Sequence, residues 1–139
     1  MQTRQFLFAT VAAVGIIAGF SSCRKTIELG NKPNLEFVSG TDLISTDSTL
    51  VMDKKYQIEI HATNAENQTP NTYFEITRTY SGGGDTTVYY EDLVGDKQTD
   101  YYYTHAFTTL KRGGTERYTF TVKNNYGIVN QKVLVMTVK

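Results

Sequence analysis

The chain holds one cysteine, Cys23, and no tryptophan among its 139 residues. A single cysteine has no partner, so no internal disulfide can staple the fold and packing alone must hold it. Neither sign of charge is in excess: 14 basic and 14 acidic side chains give a formal net charge of +0. Without a basic stripe, nucleic acid is not an expected partner. Histidine is scarce as well. His61 and His105 fall on different expected strands, so with Cys23 they do not make the clustered ligand set that zinc needs, and no metal is expected. No Gly-x-Ser-x-Gly elbow presents a nucleophile. The run Ser81-Gly82-Gly83-Gly84-Asp85 lacks the lysine and following helix of a phosphate-binding loop and reads as a hairpin turn. Two acidic groups, Glu91, Asp92, Asp96 and Asp100, and Asp42, Asp47 and Asp53, miss the Asp-x-Asp-x-Asp-Gly spacing of a calcium loop. They read as solvated loop charge, with an adventitious calcium site as the alternative. These absences together predict a protein that is not an enzyme and carries no cofactor.

What is present begins at the N-terminus. Residues 6–20 run without a charged side chain behind Arg4 and end in small polar residues, the layout of a secretory signal peptide. The run is short of the roughly 20 apolar residues that span a bilayer, although a retained anchor helix is the competing reading. Gly19-Phe20-Ser21-Ser22-Cys23 resembles the lipobox of bacterial lipoproteins, with Phe20 where that family prefers leucine. The resemblance implies that residues 1–22 are removed and that Cys23 becomes a lipidated N-terminus carrying acyl chains such as palmitate. It also gives the lone cysteine a use. Each buried methylene contributes about 0.8 kcal/mol and stable anchoring takes more than one chain, so the three chains of such lipoproteins would hold permanently. Arg24 replaces the aspartate that typically keeps these proteins in the inner membrane, which implies the outer membrane, on either its periplasmic or its cell-surface side. Residues 23–34, polar and with Gly30 and Pro33, read as the lipidated end and a tether.

Beyond the tether, ten tyrosines with abundant threonine and valine favour strands. Strand-like segments recur at regular spacing between turn residues: residues 35–38, 56–63, 73–80, 86–93, 101–109, 116–123 and 128–138, with a brief pairing at 50–52. The clearest alternation places Tyr56, Ile58, Ile60 and Ala62 on one face and Gln57, Glu59, His61 and Thr63 on the other, a half-buried strand. Tyr118, Phe120 and Val122 alternate in the same way, as do Tyr101, Tyr103, His105 and Phe107. No helical periodicity follows Cys23. The expectation is an all-β fold, one sandwich of about seven antiparallel strands over residues 35–139.

Residues 116–127, Glu-Arg-Tyr-Thr-Phe-Thr-Val-Lys-Asn-Asn-Tyr-Gly, followed by the alternation from Val133 to Val138, resemble the closing hairpin of PKD-like and bacterial immunoglobulin-like domains. The resemblance implies an immunoglobulin-like (PKD-like) β-sandwich, with Tyr118 placed like a tyrosine corner and Phe120 in the slot of the antibody disulfide cysteine. It implies no particular function, because this architecture hosts many.

Consecutive tyrosines supply a candidate binding surface: Tyr89 and Tyr90, and Tyr101, Tyr102 and Tyr103. Neighbours on a strand point to opposite faces, so some rings turn outward unless loops cover both faces. Outward rings can stack on sugars or anchor a protein interface. The expected role is a non-catalytic protein-interaction or structural module on the envelope, with a glycan-binding accessory of a carbohydrate-uptake system as the alternative. An outward tyrosine platform would favour glycan; a long bare strand edge without proline or charge would favour protein.

Overall fold

Alternating apolar side chains need two sheets to close over them, and the chain supplies two. The structure, a computed structural model, describes residues 32–66 and 68–139; the expected signal peptide, Cys23 and most of the tether lie outside the described residues. Among the described residues eight strands form: β1 (Asn34–Phe37), β2 (Ser48–Leu50), β3 (Lys55–Thr63), β4 (Asn71–Tyr80), β5 (Thr86–Asp92), β6 (Asp100–Thr108), β7 (Gly114–Asn124) and β8 (Val129–Val138). One sheet has the order β1-β3-β6 and the other β2-β8-β7-β4-β5.

This is an immunoglobulin-like sandwich. Its two sheets, linked by crossovers rather than by a meander, correspond to the ABE and CFG sheets of that fold, with β5 as an additional strand beside the C position. The expected count of about seven antiparallel strands is exceeded by β2, which runs parallel to β8, pairing Ser48 with Met136 and Leu50 with Val138. The chain stays on β3 past Phe37, with Val38 N–H bonded to Glu59 O and Ile44 N–H to Gln57 O, before it crosses to the second sheet and lays β2 beside β8.

The alternation expected for residues 56–63 holds. Ile58, Ile60 and Ala62 are wholly buried, and face Phe74 and Ile76 of β4 and Phe120 and Val122 of β7 within one core. Each such aliphatic or aromatic side chain contributes about 1.5–3 kcal/mol by leaving water. Phe37 meets Phe120 edge-on at 5.2 Å, filling the space between sheets where an antibody domain has its disulfide. The hairpin expected at residues 124–127 also forms. The Asn124 side-chain oxygen accepts from the N–H groups of Tyr126 and Ile128 at 3.1 and 3.0 Å, and Gly127 adopts φ +79°, which a residue with a Cβ resists.

The corner between β6 and β7 differs from the tyrosine-corner expectation. Tyr118 Oη donates to Glu116 Oε2 at 3.3 Å, and it is Glu116 Oε1 that accepts the Leu110 backbone N–H at 2.9 Å. Inserting a fully buried carboxylate between tyrosine and backbone requires a counter-charge. Arg78 on β4 provides it, with Nη2 3.0 Å from Glu116 Oε2.

Candidate functional site

The five tyrosines do not share one face. Tyr101 is 3% exposed; with Tyr89 and Tyr103 it turns inward, where the Tyr89 and Tyr103 rings stack at 4.0 Å and Phe74 packs against Tyr101 at 5.4 Å. Tyr90 and Tyr102 turn outward, 53% and 56% exposed. They stand on different sheets, β5 belonging to the five-stranded one and β6 to the three-stranded one, so their rings face opposite sides of the sandwich. Tyr90 leans on Tyr73 at 5.6 Å and donates its hydroxyl to Asp92 at 2.6 Å. Tyr102 stacks flat on His61, centroids 4.0 Å apart and planes within 6°.

The inward tyrosines gather around a carboxylate that the sequence placed in solvated loop charge. Glu91 Oε2 accepts from Tyr89 Oη and Tyr101 Oη, each at 2.6 Å, and Glu91 Oε1 accepts from Lys97 Nζ. The lysine bond first, then the two phenols, hold the Glu91 carboxyl down at about 2. The same contacts act oppositely on their donors. Burial first, then the bond to Glu91, raises the Tyr101 phenol far above its ordinary range and raises Tyr89 as well. Both phenols are therefore fixed as donors and neither is a base at neutral pH.

His61 lies on the outward face of β3, as its alternation predicts, with Nε2 2.6 Å from Asp100 Oδ1. His105 lies inward among Tyr103, Phe107 and Tyr118. Burial, and then the charge of Arg78, push its imidazole below the ordinary value, so it is neutral at pH 7. The two histidines sit on opposite faces of paired strands. Among the described residues no group of three or more His, Cys, Asp or Glu side chains gathers, and no helix is long and apolar enough to cross a membrane. A groove of about 700 Å³ beside residues 41–44 carries Asp42 and Lys55 as its charged side chains. It brings no histidine or cysteine to a hydroxyl, the pairing that nucleophilic catalysis needs.

The feature with binding capacity is backbone. β6 is the last strand of its sheet. The constant-type immunoglobulin order would add a fourth strand there, but here the chain passes from β5 to β6 through the single 3₁₀ turn Gly95–Gln98. Hydrogen-bonded and non-bonded pairs alternate in an antiparallel ladder. The bonds that flank β6, Asn64 N–H to Thr99 O at 3.2 Å and Thr109 N–H to Lys54 O at 3.0 Å, set the phase, and the register between them is unbroken. Tyr101, Tyr103, His105 and Phe107 therefore spend their N–H and C=O groups on β3. Asp100, Tyr102, Thr104, Ala106 and Thr108 aim theirs away from the sheet, where no backbone partner meets them among the described residues. From Tyr101 to Thr108 this edge has no proline and no acidic or basic side chain apart from the inward His105.

The other edges are short, interrupted or, along β8, capped from Val135 onward. β1 spans four residues. β5 carries a register shift opposite Ile76 and Thr77 and ends in Glu91 and Asp92. Along β8, β2 covers Met136 to Val138, and the Asp47 carboxylate accepts the next N–H, that of Val135, at 2.8 Å. Short strands, bulges and caps are the usual ways to blunt a sheet edge. β6 has none of them. Sequence reasoning paired residues 101–109 by their side chains and missed the outward backbone of Thr104, Ala106 and Thr108; the available signal was the lack of any strand-like run between β5 and β6.

No protein-family model matches the chain, and no curated protein matches it. Solved structures with a similar fold include the superoxide reductase (neelaredoxin) from Ignicoccus hospitalis, 14% identical over 78% of this chain and 80% of that one, TM-score 0.45. Murine CRIg is 11% identical over 77% of this chain and 98% of that one, TM-score 0.45. The CARDB domain of the PF1109 protein from Pyrococcus furiosus, solved with di-metal ions, is 16% identical over 78% and 90%, TM-score 0.41. At these identities and scores they carry no argument about activity, and the fold assignment rests on the strand order itself.

Proposed function

We propose that this chain is a lipid-anchored protein of the bacterial envelope whose sandwich works without catalysis, accepting an extended protein strand along the β6 edge. The observation that carries the interaction role is the bare row of backbone donors and acceptors on Thr104 and its even-numbered neighbours. Main-chain bonds to such an edge supply affinity, and alternate side chains supply selectivity. The anchor rests on the charge-free run of residues 6–20 and the lone Cys23. Glycan capture has less support, because Tyr90 and Tyr102 belong to different sheets and offer no shared platform.

The anchor is tested by the intact mass of protein from native membranes. Acyl mass on Cys23, and loss of membrane partitioning in Cys23→Ala, are the expected results; an unmodified, soluble protein would refute it. The interaction role is tested by crosslinking on intact cells. Thr104→Pro removes an N–H that β3 does not use, so the fold should persist while crosslinked partners disappear, with Tyr90→Ala as an unaffected control. Unchanged crosslinking in folded Thr104→Pro would refute strand addition at β6.

A further inference from the structure

We infer that the strand accepted by the β6 edge is β6 of a second copy of this chain, paired antiparallel about Thr104. This inference rests on the reading of β6 as a strand-addition site. Full overlap of the nine-residue strand with its own copy is reached by one antiparallel register, in which Thr104 faces Thr104, Tyr102 faces Ala106 and Asp100 faces Thr108. In that register every outward N–H and C=O meets its complement. The outward side chains also match: threonine pairs with threonine and an aromatic ring covers a small residue, and no like charges lie opposite.

Charge supplies the direction. At the Asp100 end, Glu91, Asp92, Asp96 and Asp100 outweigh Lys97 and, over the Tyr73 ring, Lys123 by four to two. At the Thr108 end, Lys54, Lys55, Lys111 and Arg112 outweigh Asp42 and Asp53 by four to two, the Arg78–Glu116 pair being internally balanced. Antiparallel pairing sets each acidic end against the partner's basic end; parallel pairing would set like against like. Lys55 is exposed on the outward face and lies opposite Thr108 in the ladder. It therefore stands across β6, two strand spacings or about 10 Å, from the Asp100 of the second copy, within reach of a long side chain although that carboxylate also holds its own His61. The two three-stranded sheets would become one sheet of six. A single edge buries far less than the about 1,600 Å² of a standard interface, so the association should depend on concentration.

The test uses the full chain in mild detergent, by sedimentation over a concentration series and by a short bifunctional maleimide. The expected results are a dimer fraction that rises with concentration, and crosslinking of Thr104→Cys at least tenfold faster than of Thr108→Cys, which sits far from its own copy in this register. The native Cys23 background is measured in the unsubstituted chain. Lys55→Glu and Asp100→Lys should each weaken the dimer, and the two together should restore it; this swap keeps the test intact if Thr104→Pro fails to fold. A monomer at every concentration, or a dimer indifferent to the charge swap and to the Thr104 thiol, overturns the inference. A synthetic peptide copying residues 100–108 separates the two claims. If the chain is monomeric yet the peptide slows amide exchange at Thr104 and Ala106, the second copy is wrong and the edge reading stands. If the chain is monomeric and the peptide protects nothing, both fall.

Discussion

Two carboxylates, one at each end of the sandwich interior, do different work. Glu116 is wholly buried and holds backbone: its oxygens accept the Leu110 N–H and the Tyr118 hydroxyl and lie 3.0 Å from the Arg78 guanidinium as its counter-charge. Glu91 keeps 23% of its side chain exposed and holds only side chains, those of Tyr89, Tyr101 and Lys97. The first therefore ties the β6–β7 corner to β4 and cannot be removed without leaving charge and backbone unpaired in the core. The second orients phenols behind the start of β6 and can be replaced by another acceptor. A buried acid that anchors main chain is part of the fold; one that gathers side chains trims it.

Glu116→Ala should have the largest effect. Removing one partner of a buried ion pair costs about 3–5 kcal/mol, and chemical denaturation should show a loss of that size. Glu116→Gln should lose less, since an amide oxygen can still accept the Leu110 N–H. A cost as small as that of a surface change would mean that the corner is held some other way.

Glu91→Gln should cost less, about 1–2 kcal/mol, because charge assistance is lost while an acceptor for Tyr101 remains. It should also change the acid limb. The folded carboxyl sits at about 2 against an ordinary 4.5, so its contribution is complete above pH 4.5 and is lost as the pH falls from there toward 2. A pH series of denaturation midpoints should flatten over that window in the variant, and an unchanged profile would contradict the hydrogen bonds assigned to Glu91.

His105 lies at the Glu116 end, against Tyr118. Its imidazole is pushed below the ordinary 6.5 by burial and then by Arg78. The folded state therefore binds fewer protons than the unfolded one, and stability should fall as the pH drops below about 6.5. His105→Phe should remove that slope while leaving the Glu91 limb in place. The smallest effect is expected at a third carboxylate. Asp47→Ala uncaps the exposed Val135 N–H at a cost of about 0.5–1 kcal/mol. Increased self-association through β8 would accompany it if the cap also guards that edge.

Much of the sandwich was legible in the sequence because a strand's faces are a local property. Tyr56 to Ala62 and Tyr118 to Val122 alternate with period two, and the structure buries the expected sides. The turn at residues 124–127 was legible for the same reason, as its asparagine and glycine act on their immediate neighbours. Glu91 and Glu116 were not. Their alternation puts them inward beside Tyr89 and Tyr118, but a carboxylate alone reads as solvated. Lys97 and Tyr101 reach Glu91 from a turn and another strand, and Arg78 reaches Glu116 only because β4 and β7 pair Arg78 with Tyr118. The parallel placement of β2 likewise depends on where β8 lies.

From the sequence alone it was legible that the chain from Leu35 onward forms strands, which apolar side chains the clearest strands bury and where most turns fall, since period-two patterning and turn chemistry act over a few residues. Packing in three dimensions settles which tyrosines meet Glu91, which base neutralises Glu116, and that among the described residues no strand covers the outer side of β6. A strand's neighbours are set by the packing of segments far apart in the chain, and the side chains of one strand do not encode whether its backbone is left unpaired.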